Sequence, residues 1–425
     1  MSSLADAAQS TPTPWGADAK VIGLVSLAHA ASHFSHLLLA PLFPVFMREF
    51  NLSFTDVGLL MSIFFVVSGV GQAAGGFLVD RVGARPVLFA ALGCFFLAAL
   101  TAAQATGYTS LMLAAMLAGL GNAPFHPVDF TILNRRVSAS RLGYAFSAHG
   151  LAGNLGWALA PVFLTSMAAL ANWRWAYVGC AGLYAVVVAL LFFHREHLFG
   201  QTGEIGLGQD GANKGSEGSE GGADGSTAEG SLSFLRSPVV WACFAFFMLG
   251  TMSLAVIQSF APSILERVHG LSDKVAAYTL SAYMLAGAVG IATGGYLVHR
   301  VKHSDRVLAV TMLAGGVLLM VAASGVLGGE GTLVVLAATG FAVGIGGPSR
   351  DLMIRKAAPA GATGRVYGTV YSGLDVGFAL SPLLFGRLMD AGHYAATLAG
   401  AGVALLLAMM AVVCIGRYLA KRPSA

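Results

Sequence analysis

GGFLVDRV at residues 75–82 returns as GGYLVHRV at residues 294–301. Other landmarks recur in the same order around this pair. Pro41 follows Ala40, and Pro262 follows Ala261. Pro127 is matched by Pro348, and GWALAP ending at Pro161 by GFALSP ending at Pro382. The three proline pairs share one spacing of 221 residues; the glycine pair is spaced by 219, with the loop after Arg300 absorbing the difference. Matched Pro and Gly at fixed positions place the same kinks and close helix contacts twice. The expected plan is two parallel six-helix repeats about an axis along a membrane normal, with a ligand site between them near mid-membrane.

The composition sets the solvent. The chain has 425 residues, 56% hydrophobic and 10% charged, where a soluble domain carries about 25% charged residues. Crossing a bilayer takes about 20 apolar residues per helix. Such runs are expected at 21–47, 54–79, 87–104, 110–134, 142–170 and 175–193, then at 239–265, 275–298, 307–327, 333–354, 366–389 and 395–415. Barrel strands alternate over ~10 residues and do not give such runs. Helices satisfy their own backbone groups in lipid, so the fold class is an all-α membrane protein of about twelve transmembrane helices in two pseudo-symmetric halves. Residues 200–231 are rich in Gly, Ser and Glu and lack aromatics; they read as a flexible cytoplasmic linker. Residues 1–199 and 232–425 are then the two six-helix domains.

Charge orients the chain. Arg81, Arg85, Arg135, Arg136, Arg141, Arg195, Arg300 and Arg306 fall in loops on the side of the termini, while the other side holds Arg48, Arg174, Arg267, Lys274 and Arg387. Positive residues favour the cytoplasm, so both termini are expected inside, in a bacterial inner membrane. The net charge of +4 is spread over loops and points to no nucleic-acid partner. The polar start of the chain has no basic n-region and does not read as a cleavable signal. Cys94, Cys180, Cys243 and Cys414 lie in apolar runs without metal-like spacing and read as packing residues.

Residues 75–88, GGFLVDRVGARPVL, resemble the cytoplasmic loop signature of the major facilitator superfamily, with Gly76, Leu78, Asp80, Arg81, Gly83 and Arg85 at matching places. That resemblance implies that Asp80 latches the outward-open state. Physically, a carboxylate accepts hydrogen bonds from a helix N-terminus across the interface between the halves, where the dipole favours negative charge. His299 stands where Asp80 is repeated, so the second latch is expected to be weaker. Arg81 and Arg85 read either as part of this latch or as ordinary cytoplasmic anchors. GLGNAPFHP at 119–127 and GNLGWALAP at 153–161 are similar to the fosmidomycin-resistance branch of that superfamily, which implies proton-driven export of drug-like molecules.

Ionisable residues inside spans usually face a cavity or a partner. His29, His33 and His36 are spaced by four and three, on one helix face. They either line a cavity, binding substrate or carrying protons, or make interhelical hydrogen bonds; an unperturbed imidazole titrates near neutral pH. Imidazoles also suit zinc or copper, but no carboxylate or cysteine lies nearby in sequence, so no metal site is expected. His126 and Asp129 share a face of the fourth span. Asp129 reads as a proton carrier or as an edge ion pair with Arg135 or Arg136. Its repeat equivalent is Arg350, and the two are expected to meet across the cavity in one access state. Asp351 lies four residues before Arg355 and suits a helical pair. Asn154 and Asp375 are repeat equivalents in the fifth and eleventh spans; the glycines around Asn154 read as packing, and Asp375 as cavity-lining. Gln258 is a candidate ligand contact in the seventh span.

The chain has no GxxxxGK[ST], HExxH or GxSxG, which argues against an ATPase, zinc protease or serine hydrolase. The expected function is secondary active transport, with proton-coupled export of a small organic molecule first and import of a carboxylate or other small nutrient second. A membrane receptor or scaffold is the alternative of another class. No cofactor is expected, the partners are a small-molecule substrate, protons and the bilayer, and the favoured state is a monomer.

Overall fold

The computed structural model describes residues 14–199, 237–298, 300–301, 303–357 and 363–420; the 200–231 linker and His299 lie outside the described residues. Among the described residues every regular element is helical. In the first half of the chain these are α1 (Trp15–His36), α2 (Phe43–Phe50), α3 (Phe54–Val82), α4 (Ala84–Ala103), α5 (Tyr108–Asn122), α6 (Phe125–Arg136), α7 (Leu142–Leu170), α8 (Trp173–Phe193) and the short α9 (Arg195–Phe199). In the second half they are α10 (Pro238–His269), α11 (Asp273–Val298), α12 (Ser304–Ala323), α13 (Gly328–Ala357), α14 (Thr363–Asp390) and α15 (Tyr394–Ala420). Among the described residues, eleven segments are long and apolar enough to cross a membrane. The remaining expected span, 366–389, falls within the 28-residue α14.

Helix pairings recur between the halves. In the first half α1 packs on α7, α5 on α3 and α4, and α4 on α8; in the second, α10 packs on α14, α13 on α11 and α12, and α12 on α15. The outer surface carries large apolar side chains such as Leu155, Val186, Val310 and Val334. Such a surface suits lipid as its solvent and would be a liability in water.

The expected spans 21–47 and 110–134 fall within the single candidate spans Trp15–Phe50 and Tyr108–Arg136, each with a lapse in regular helix. The first does not run unbroken to residue 47: α1 stops at His36, and a 3₁₀ turn at Ala40–Leu42 leads into α2. The fourth is interrupted at residues 123–124, between α5 and α6. Each interruption carries two prolines three residues apart, Pro41 with Pro44 and Pro124 with Pro127. Each proline removes a backbone donor and crowds the preceding turn. The repeat equivalents Pro262 and Pro348 stand alone, and α10 and α13 continue through them.

Glycines set the closest helix approaches. A Cβ on Gly156 of α7 would run into the Ala30 carbonyl of α1; one on its repeat equivalent Gly377 of α14 would run into Thr251 and Met248 of α10. The same contact is therefore built twice, as the close-packing reading of these glycines requires.

The halves meet through α3 with α14 and α7 with α11. Some of these contacts lie at the end of the bundle away from the termini. There the Asp390 carboxylate at the end of α14 accepts from the Phe54 and Thr55 backbone N–H groups and from the Thr55 hydroxyl, at the start of α3. Arg48 pairs with Glu266 at 3.3 Å nearby. Deeper in, Ser281 donates to the Ala158 carbonyl at 2.8 Å, and Phe65 stacks on Phe378 at 4.3 Å.

Candidate functional site

α6 packs on α1. His126 and Asp129, one turn apart on α6, thereby reach the histidine face of α1. His29 Nδ1 donates to Asp129 Oδ2 at 3.0 Å, and His149 Nε2 of α7 donates to the same oxygen at 3.0 Å. The His29 and His149 rings stack with centroids 3.5 Å apart. A nitrogen from each of His29, His126 and His149 falls within 4.8 Å of the others. Asp129 is fully buried and His29 is 2% exposed. Asp129 Oδ1 and His126 Nδ1 are buried without a hydrogen bond.

A second polar node lies further along α1. The Ser32 hydroxyl and His36 Nε2 both donate to Asn122 Oδ1, at 2.6 and 2.9 Å, and Asn122 Nδ2 donates to the Ser68 hydroxyl at 2.7 Å. These bonds tie α1, α5 and α3 together. His33 fills the space between the nodes, with ring centroids 4.4 Å from His29, 4.8 Å from His36 and 4.3 Å from Trp157. The glycine of GNLGWALAP at position 153 makes room for it: a Cβ there would stand 2.7 Å from His33 Cε1.

Asp375 occupies a different place. It is half-buried on α14, against Gly69 of α3, where an added Cβ would sit 3.5 Å from its Oδ2. One turn on, Phe378 stacks on Phe65 and lies 6.5 Å from Trp157. Asp375 makes no hydrogen bond or ion pair with the described residues. It is thus an intramembrane carboxylate at the seam between the halves.

The family model of the major facilitator superfamily matches residues 25–329. This chain belongs to the major facilitator superfamily. It is 28% identical to the fosmidomycin resistance protein of Escherichia coli over 280 residues, 65% of this chain and 64% of that protein. It is 26% identical to the probable L-galactonate transporter of the same species over 255 residues, 59% of this chain and 54% of that one. Both matches therefore span less than two thirds of the relative. The hexuronate transporter of Bacillus subtilis is 23% identical and matches almost end to end, over 95% of this chain and 96% of that protein. Among solved structures, a peptide transporter in complex with sulfate superposes with a TM-score of 0.73 at 15% identity, covering 94% of this chain and 95% of that one. A nucleoside transporter gives 0.68 at 14%, covering 94% and 98%. These likenesses carry the fold.

The other sequence-selected residues of this superfamily member are dispersed. Gln258 of α10 is fully buried, and neither Nε2 nor Oε1 has a hydrogen-bond partner. Arg350 of α13 is half-buried, with its guanidinium carbon 5.4 Å from the Phe247 ring centroid. Asp129 is not paired with Arg350 in this state, nor with Arg135 or Arg136; its hydrogen-bond partners are histidines. Arg136 instead donates to the carbonyls of His197 and Glu196. Asn154 turns back on its own helix, donating to the Gly150 carbonyl at 3.0 Å. The Asp351 side chain lies outside what is described. In the loop signature, Asp80 and Arg81 are exposed and Arg85 is half-buried. Gly83 joins α3 to α4 with φ 88° and ψ 156°, a conformation open essentially to glycine alone.

Two members of the polar core, His149 and Asn122, are missing from the sequence expectations. Each is a polar residue inside an apolar span, which is the signal that marks it.

Proposed function

We propose that this chain is a secondary active transporter that couples proton movement to the export of a small organic molecule, rocking its two six-helix halves about a central site in the inner membrane. With the termini in the cytoplasm, the contacts at Asp390 and Arg48 stand at the outer end.

One observation carries the coupling: Asp375 sits at the seam between halves, against Gly69 and beside the Phe65–Phe378 stack. Its neighbours belong to the other half, so relative movement changes its surroundings. A group whose proton affinity differs between two states links the proton to the change of state. Asp129 holds its bonds within one half, and those bonds persist as the halves move. Gln258, with both amide atoms unpaired in the protein interior, is the proposed substrate contact.

Export rests on the likeness to the fosmidomycin resistance protein. Import of a carboxylate is the second reading; the names of the galactonate and hexuronate transporters and the half-buried Arg350 favour it.

A ligand-stabilisation screen over antibiotics and metabolites identifies the substrate. In proteoliposomes, Asp375→Asn is then expected to abolish proton-driven accumulation while substrate counterflow continues. Retained proton-driven accumulation would remove Asp375 from the mechanism. The direction of movement under an imposed pH gradient separates export from import.

A further inference from the structure

The His29–His126–His149–Asp129 cluster lies inside one half and is not used by the coupling just described. We propose that these four side chains form a binding site for one divalent transition-metal ion of the zinc class.

The donor set comes first. Three imidazoles and a carboxylate make an N₃O set of the kind zinc takes. The sequence ground against a metal was that no carboxylate or cysteine lies near the α1 histidines. Folding removes that ground, because Asp129, one hundred residues on, is within 3.0 Å of His29.

Geometry comes second. With metal–ligand bonds of about 2.0–2.1 Å, tetrahedral ligands stand roughly 3.3 Å apart. His29 Nδ1 and His149 Nε2 are each 3.0 Å from Asp129 Oδ2, so two of the spacings among these three donors are already near that value. His126 has a nitrogen within 4.8 Å of a nitrogen on each of the other two imidazoles, so meeting them at tetrahedral spacing takes up to about 1.5 Å, and joining Asp129 to the set takes a further shift of the His126 ring. Its Nδ1 makes no hydrogen bond, so none restrains that nitrogen. Accepting the ion moves the single proton of His29 and of His149 to the other ring nitrogen; no net proton is lost. The carboxylate offsets one of the two charges.

Rigidity comes third. The donors stand on three packed helices, α1, α6 and α7, and not on loops. Two of them come from one turn of α6, as His126 and Asp129.

The repeat supplies independent support. The positions 221 residues on from His29, His126, Asp129 and His149 are Gly250, Gly347, Arg350 and Val370. The second half makes the same helix pairings without a single one of these donors. The cluster is therefore not a requirement of the helix packing.

The test needs no substrate. Full-length protein carrying no polyhistidine tag is stripped with chelator in detergent and equilibrated with Zn²⁺, and bound metal is measured after dialysis. One tightly held ion per chain is expected, and Co²⁺ is expected to give the visible absorption of a tetrahedral site. His126→Gln, which removes no hydrogen bond between described residues, should lose affinity at least about ten-fold and lose the Co²⁺ spectrum. His194→Gln with His197→Gln, a surface histidine pair, should change neither. Absence of stoichiometric zinc, or equal binding and an unchanged Co²⁺ spectrum in His126→Gln and His149→Gln, would overturn the site. Unfolding midpoints without metal check that each variant is folded, and the Co²⁺ spectrum of His126→Gln decides the matter where His149→Gln is unstable.

Discussion

The two halves solve the same packing problem with different chemistry. Where the second half runs α10 through Pro262 and α13 through Pro348, the first half interrupts its helices at Pro41–Pro44 and Pro124–Pro127. The positions matching Pro44 and Pro124 are Leu265 and Ile345. One proline is absorbed as a local distortion of a long helix; a second, three residues away, leaves too few backbone bonds to hold the turn. His126 and Asp129 of α6 join His29 of α1, while the equivalent Gly347 and Arg350 lie within α13. The histidine-rich polar cluster lies in the first half, while Asp375 and Gln258 lie in the second.

The feature common to both halves should be the most damaging to lose. Gly156→Ala and Gly377→Ala each place a methyl against the backbone of the neighbouring helix. Overpacking typically costs about 1–3 kcal/mol, and a carbonyl cannot move aside as a side chain can. Both variants should show a lowered unfolding midpoint in detergent and poor accumulation. Gly150→Ala, which meets nothing within 4 Å, should match the wild type. If one of the pair were silent, the halves would not share this contact.

The proline difference can be tested from both sides. Ile345→Pro recreates the paired prolines in the second half and should break α13, at a cost of about 3 kcal/mol. Pro124→Ala removes one of the pair in the first half. It should let the α5 helix extend toward α6 and draw Asp129 away from His29. Zinc affinity then falls by about ten-fold, read by the same dialysis. Unchanged affinity would mean that Pro127 alone sets the bend.

Asp375 and Asn154 occupy equivalent places but differ in surroundings. Asn154→Ala removes a hydrogen bond to its own helix, worth about 1 kcal/mol or less at a half-exposed site, and should leave transport within about two-fold. Asp375→Asn should remove coupling altogether. A large transport defect in Asn154→Ala would restore Asn154 to the substrate pathway and weaken the contrast.

Most of the fold is legible because bilayer thickness fixes the length of an apolar run; the expected span 142–170 coincides with α7 (Leu142–Leu170). The interruptions are harder to read, since a proline in a membrane helix can kink it or end it and the difference lies in its neighbours. Of the polar core, the shared face of His29, His33 and His36 follows from helical spacing. Its partners do not. Asp129 and His29 stand one hundred residues apart and meet through the packing of α6 on α1, and Asn122 of α5 joins Ser32 and His36 of α1 to Ser68 of α3. Such contacts depend on helix packing, which local spacing does not encode.

The smallest expected effects concern the two ends of the interface between the halves. The sequence assigns a latch to Asp80, a carboxylate accepting from a helix N-terminus across that interface. Asp80 is exposed in this state. The same chemistry is present at the opposite end, where Asp390 accepts from the first two N–H groups of α3. A carboxylate at such a helix start is worth about 1 kcal/mol, or roughly a five-fold change in the ratio of two access states. Asp390→Ala removes the bonds of this state and should shift the population toward the state open at the Asp390 end. Asp80→Asn weakens only the state in which Asp80 is engaged, and should shift the population the other way. Labelling of single cysteines placed at each end of the seam reads both shifts. Opposite changes in the two variants are expected, each within about five-fold. Shifts of the same sign would mean that Asp80 and Asp390 do not lock alternate states, and the two ends of the transporter would then not be counterparts.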